Sequence, residues 1–207
     1  EGIIKLLKEG KDVALISDGG MPLISDPGHI LVKKVREEGL GMTVLPGANA
    51  ALCALVLSGI DSSRFSFVGF LPEGNKERKL LLDEIKTYQS TLLFHISPHS
   101  LQKDLNDIFL ALGKRHASLA REISKVFEEV IPFVLGDRLE ITEKGEFVLV
   151  VEKAEKEECK LNDLTIDEHL SFYLSEGLAK NEAIKRVSKD RNVPKNEIYI
   201  HVIKKEE

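Results

Sequence analysis

The residues with the clearest chemical potential are Ser17-Asp18-Gly19-Gly20-Met21-Pro22-Leu23-Ile24-Ser25-Asp26-Pro27-Gly28. The Asp18 carboxylate suits an amine or the hydroxyls of a ribose. Gly19 and Gly20 let a ligand approach the backbone closely. The stretch follows Val13-Ala14-Leu15-Ile16, an apolar run that reads as a buried parallel strand. Asp26 and Pro27 read as the N-cap and first position of a following helix. A loop leaving the carboxyl end of a strand is where open α/β sheets bind ligands. Twelve residues are more than a plain βα turn needs. Neither G-x-G-x-x-G nor G-x-x-x-x-G-K-[ST] occurs, which argues against a dinucleotide site or a P-loop.

Two charged groups add to this. Lys76, Arg78 and Lys79 form a local basic cluster after the Phe65–Phe70 strand pattern. Glu122, Lys125 and Glu128 recur at helical spacing, which solvated salt-bridged helix faces also produce. The surrounding pattern alternates strand and helix. An apolar stripe of Ile30, Leu31, Val32 and Val35 ends at Gly39, and Met42–Leu45 reads as a second buried strand. A small apolar helix then runs from Ala48 to Leu57. Further on, a helix to about Gln89 turns Leu80, Leu81, Ile85 and Tyr88 inward, and Thr91–His95 forms a strand. Ser97 and Pro98 open a helix that Gly113 closes, and strands follow at His116–Ala120 and Phe147–Val151. Glu152–Asn162 reads as a charged linker, and Thr165-Ile166-Asp167-Glu168 as a capping box that opens the first of three short helices.

The chain has 207 residues, 43% hydrophobic and 30% charged, with a formal net charge of −5. That argues against a general polyanion binder, so nucleic-acid contact requires a local basic patch. Residues 160–207 carry nine Lys or Arg against nine Asp or Glu, which weakens a DNA-reading role for a helix-turn-helix-like tail. Cys53 and Cys159 fit neither a disulfide framework nor a zinc site, no other metal-ligand spacing occurs, and a reducing cytosol is expected. No apolar run is long enough to span a membrane.

The glycine-rich stretch resembles the Asp-Ala-Gly-Thr-Pro-Leu-Ile-(Ser/Asn)-Asp-Pro-Gly signature of the ribosomal RNA small subunit methyltransferase I family, with Gly19 for Ala and Met21 for Thr. Pro46-Gly47-Ala48-Asn49-Ala50 resembles the family's Pro-Gly-Pro-x-Ala loop, and Gly69-Phe70-Leu71-Pro72 its Gly-Phe-Leu-Pro word. Leu119-Ala120-Arg121-Glu122-Ile123-Ser124-Lys125-Val126-Phe127-Glu128 and Lys144-Gly145-Glu146 resemble two further family words. His95-Ile96-Ser97-Pro98-His99-Ser100 departs from the family's Tyr-Glu-Ser-Pro-His-Arg at Ile96 and Ser100.

The resemblance implies the tetrapyrrole-methylase fold, an α/β architecture of two domains with a small C-terminal helical module. Residues 1–66 would be the remaining part of an incomplete, N-terminally truncated S-adenosylmethionine (SAM) domain. Residues 67–153 would form the second α/β domain and 160–207 the module. It implies a cytoplasmic homodimer that 2′-O-methylates a cytidine ribose of 16S rRNA in the small ribosomal subunit. Ser17, Asp18, Gly19, Gly20, Pro22 and Ile24 would bind SAM with Pro46, Gly47, Ala48, Asn49 and Ala50. Because the family's first loop is expected to be missing, weak SAM binding is expected of the chain as given. Glu122 or Lys125 would be the general base, and Lys76, Arg78 and Lys79 would hold RNA. Alternatives are a corrin, porphyrin or protein substrate on the same fold, or a non-catalytic nucleic-acid-binding relative.

Overall fold

The computed structural model describes residues 1–155, 160–191 and 193–203; Cys159 lies outside them. The chain divides into two compact units, Glu1–Ala154 and Glu155–Glu207.

The first unit is built on a five-stranded mixed sheet. Its strands are β1 (Phe65–Gly69), β2 (Thr91–Ile96), β3 (His116–Arg121), β4 (Glu129–Val134) and β5 (Phe147–Val151), in the spatial order β1-β2-β5-β3-β4. β1 runs parallel to β2, whereas β5 is antiparallel to both β2 and β3. The carboxyl ends of β1, β2 and β3 therefore share one edge of the sheet with the amino ends of β4 and β5. All five residues of β5 are buried, as expected of a central strand covered on both faces. One face packs Leu92, Phe94, Leu119 and Leu149 against α4 (Asn75–Ile85) and α5 (Leu101–Leu112). The other packs Leu93, Ala120, Val148 and Val150 against Ala51, Ala54 and Leu55 of α3 (Ala50–Ser58). Small residues on α3 let its axis lie close to the sheet.

Several expected elements differ. Val13–Ile16 and Met42–Leu45 are not strands. Neither segment finds a ladder partner among the described residues, and apolar character alone does not satisfy backbone N–H and C=O groups. Helix α2 (His29–Glu37) starts at Gly28 as N-cap, with φ of 133°, rather than at Asp26. Its stripe is only partly realised: Val35 is buried but Ile30 is exposed. In α4 the inward position is Leu82, not Leu80, which is exposed. Residues 122–128 form turns, not a helix, and the following β4 was not expected. Pro132 within β4 removes a ladder donor, a residue tolerated on an edge strand such as this one.

The second unit holds α6 (Ile166–Ser175), α7 (Lys180–Asp190) and α8 (Lys195–Ile203) around Leu170, Ala183, Ile184, Val187 and Ile198. The capping box is formed: the Thr165 hydroxyl accepts from the Glu168 N–H, and the Glu168 carboxylate accepts from the Thr165 N–H at 2.8 Å. A short helix α1 (Gly2–Lys8) opens the chain.

Candidate functional site

The glycine-rich loop and the Pro46–Ala50 segment meet. A Cβ on Gly20 would lie 3.3 Å from the Ala48 carbonyl oxygen, and one on Gly47 would lie 3.6 Å from Met21 Cγ. Gly20 also has φ of 75°, a conformation that favours glycine. The Ser17 hydroxyl donates to the Gly20 carbonyl at 3.1 Å, curling the loop back on itself. Leu23 and Ser25 hold positive φ values of 71° and 61°. Such backbone costs of order 1–3 kcal/mol per residue and gathers at binding sites and switches. Asp18, Gly19, Ile24, Pro46, Gly47 and Ala48 are exposed, so this double wall presents backbone and one carboxylate to solvent. Asn49 caps α3, its side-chain oxygen accepting from the Leu52 N–H at 3.0 Å. Ala50 begins that helix and Pro22 lies in the turn beyond Gly20.

A second cluster occupies the sheet edge where β3 ends and β5 begins. The Glu122 and Glu146 backbones are stitched together: Glu122 N–H donates to the Glu146 carbonyl at 2.9 Å, and Glu146 N–H to the Glu122 carboxylate at 2.8 Å. Lys125 Nζ donates to Glu122 at 2.9 Å and to Glu146 at 3.1 Å. A Cβ on Gly145, whose φ is 101°, would come within 2.6 Å of Glu122, so glycine is required there. Glu128 accepts from the Ser124 N–H at 2.5 Å and closes the turn. The two sequence words thus form one charged knot. Hydrogen bonding to Lys125 and the Glu146 backbone holds the Glu122 carboxyl below its usual range, while Glu122 and then Glu146 push the Lys125 ammonium up. Lys125 therefore keeps its proton and has no lone pair to offer as a base, and Glu122 is a weakened one.

The basic cluster is not a single surface. Lys76 and Lys79 are exposed on α4. Arg78 is buried, paired with Asp104 and, at 2.6 Å, with Asp107, both on α5. Its Nη1 also donates to the Pro72 carbonyl at 3.1 Å, tying the Gly69–Pro72 turn to the helix layer. Arg78 is thus withdrawn from solvent, and its guanidinium is occupied. Ser100 contributes to the same network by donating to Asp104 at 2.6 Å, and Ile96 is buried in the core.

Sequence reasoning missed a third feature. His95, near the end of β2, is flanked edge-on by Phe67 (5.1 Å between centroids) and Phe70 (5.3 Å). The signal was available in the alternation that puts Phe67 on one face of β1, but a lone histidine on the neighbouring strand, 28 residues on, carried no spacing cue. Among the described residues no group of His, Cys, Asp and Glu could hold a metal, and no helix is long and apolar enough to cross a membrane.

The fold and the sequence have counterparts in known proteins. Residues 1–138 match the family model for tetrapyrrole (corrin/porphyrin) methylases. The ribosomal RNA small subunit methyltransferase I of Halalkalibacterium halodurans is 44% identical over 205 residues, covering 95% of this chain and 71% of that protein. The Bacillus subtilis protein of the same name is 44% identical over 206 residues, covering 95% and 70%. That of Escherichia coli O157:H7 is 37% identical, covering 100% and 74%. Among solved structures, the methyltransferase CobJ superposes with a TM-score of 0.57 at 18% identity, over 74% of this chain and 69% of that one. That similarity concerns the fold. The sequence relatives go further, because 37–44% identity extends over 95% or more of this chain: the chain belongs to the tetrapyrrole methylase family and, within it, to the ribosomal RNA small subunit methyltransferase I family.

Proposed function

We propose that the protein is a SAM-dependent methyltransferase acting on the 2′-hydroxyl of a cytidine in 16S rRNA of the small ribosomal subunit. The observation that carries the reading is the approach of Gly20, at positive φ, to the Ala48 carbonyl, which brings the two exposed loops together on bare backbone. The residues present suit the donor: Asp18 offers a carboxylate to an amine or ribose hydroxyls, and Gly19, Gly20 and Gly47 offer bare backbone. SAM supplies a methyl group on a positively charged sulfur. The protein's part is to hold the two reactants in line, which in favourable systems accounts for about 7–11 kcal/mol of barrier.

Glu122 and Lys125 act at the acceptor end in this reading. Their ion pair fixes the turn after β3, and the Lys125 ammonium offers a cation to the oxygen as its charge develops. Lys76 and Lys79 would grip phosphates, which positions RNA without reading its bases. Homodimer formation belongs to the same proposal, on the strength of the family resemblance.

Asp18→Asn tests it. Calorimetry should show SAM affinity falling by about tenfold, the equivalent of ~1.4 kcal/mol. Methyl transfer to isolated small ribosomal subunits should fall with it, and the label should appear on a ribose 2′-oxygen. A label on a base, a tetrapyrrole or a protein would refute the substrate assignment.

A further inference from the structure

Phe67 and Phe70 are large apolar side chains left 40% and 54% exposed, among several exposed hydrophobes on this unit. Single exposed hydrophobes need no explanation, but these two converge on one imidazole. His95 Nε2 is shielded from solvent and has no hydrogen-bond partner among the described residues. Leaving such a group unpaired is destabilising, and a native fold retains few of them. Burial pushes the imidazole pKa down, opposed by the Glu146 charge, so the ring is neutral near pH 7 and keeps a lone pair and an N–H.

The position of this group narrows its use. It lies at the carboxyl ends of β1 and β2, the edge that also carries Glu122, Lys125 and Glu146. A Cβ on Gly69 would lie 3.8 Å from both the Ser25 hydroxyl and the Phe67 ring, so the glycine-rich loop passes directly beside it. Phe70 also precedes the helix that exposes Lys76 and Lys79. Exposed aromatic rings with a hydrogen-bonding edge, next to lysines that can take phosphates, are what unpaired RNA bases stack on.

We propose that Phe67, Phe70 and His95 form a stacking platform for an unpaired RNA base, seating a nucleotide at the sheet edge beside the glycine-rich loop. This rests on the RNA reading above and adds a subsite to it. The base lies on the Phe70 face, and its edge reaches the His95 nitrogen when Phe70 rotates from its edge-on contact.

The test uses a short, fluorescein-labelled single-stranded RNA and the same RNA with one central abasic site, in the presence of SAM. Wild-type protein should prefer the intact RNA by about 5- to 150-fold, the range expected for one stacked base. Phe70→Ala should erase that preference, and Phe70→Trp should restore it. Phe70→Leu, which keeps an apolar side chain at an exposed position, should behave like Phe70→Ala without any loss of thermal stability. Equal RNA affinity in wild type and Phe70→Leu would overturn the platform while leaving the methyltransferase reading intact. A parallel fall in affinity for both RNAs would also overturn it, since a stacked base is not then what was lost. Loss of SAM affinity in Phe70→Leu would assign the rings to the cofactor's adenine instead. If wild-type protein binds neither RNA yet methylates another acceptor, the RNA reading fails and the platform with it.

Discussion

Arg78 shows how a single residue can look like surface chemistry and be architecture. In sequence it sits between Lys76 and Lys79 with Glu73 and Glu77 nearby, the composition of a solvated helix turn. Its partners, Asp104 and Asp107, are far along the chain and could not be read from local spacing. Charged residues are almost never fully buried unless paired, and this one is paired twice. The two kinds of cation should separate cleanly under mutation. Arg78→Ala leaves Asp104 buried without its counter-charge, which typically costs 3–5 kcal/mol, on the order of the whole stability of a marginal domain. Lys76→Ala and Lys79→Ala alter exposed positions and should stay within about 0.5 kcal/mol. Urea denaturation of the three variants would measure this, and a mild effect of Arg78→Ala would mean that the buried pair is not structural. By contrast, the close backbone approach at Gly20 was legible from residue type alone, because positive φ and a near carbonyl favour glycine.

At the level of elements, what the sequence disclosed depended on whether the signal was local. The capping box, the Gly113 helix end and the central strand Phe147–Val151 each carry a local signature, and each formed. Val13–Ile16 and Met42–Leu45 are just as apolar, but a strand exists only when another supplies its ladder. The turn at 122–128 mimicked a helix because three charges at i, i+3 spacing also suit a knot held by Lys125. In the second unit a buried polar group should make the packing of α6 on α7 sensitive to pH. His169 is fully buried on α6; Arg191 Nε donates to its Nδ1 at 3.1 Å, and its Nε2 lies 3.5 Å from Asp190. Tyr173 donates to that Asp190 carboxylate at 2.5 Å. Burial, then the Arg191 charge, lower the His169 pKa, against the pull of Asp190. A lowered folded-state pKa means that the unfolded chain takes up the proton first. Stability is therefore full above the ordinary imidazole value near 6.5 and falls as the pH drops from there through the lowered native value. Amide protection factors in α6 and α7, which normalise for the intrinsic exchange rate at each pH, should fall between pH 7.5 and 5.5, and His169→Gln should remove that fall. Unaltered pH dependence in that variant would place the titration elsewhere.

For the whole molecule the governing number is the net charge of −5. Its average field repels RNA, so any encounter with a phosphate backbone depends on where cations are displayed rather than on how many there are. Counting alone could not locate them, since Arg78 is spent in the interior and Lys125 on Glu122 and Glu146. Lys76 and Lys79 remain exposed, close in sequence to the Phe70 turn and opposed by few acidic neighbours beyond Glu73, Glu77 and Asp83. If these two lysines neutralise phosphates, their counterion release should govern the salt dependence of binding. Each charge removed flattens the slope of log K against log salt by roughly 0.7–0.9, so the Lys76→Ala, Lys79→Ala double variant should be shallower by about 1.4–1.8. Binding to small ribosomal subunits should weaken at low salt and converge with wild type as salt rises, because the lost contribution is the one that salt already screens. SAM affinity should not move, since the two side chains lie on α4 and the proposed SAM walls are Ser17–Ile24 and Pro46–Ala50. Filter binding across a salt series, with calorimetry for SAM, measures both quantities. An unchanged slope would return the lysines to the ordinary surface of α4, where each ion pair contributes only about 0.2–0.5 kcal/mol to the helix.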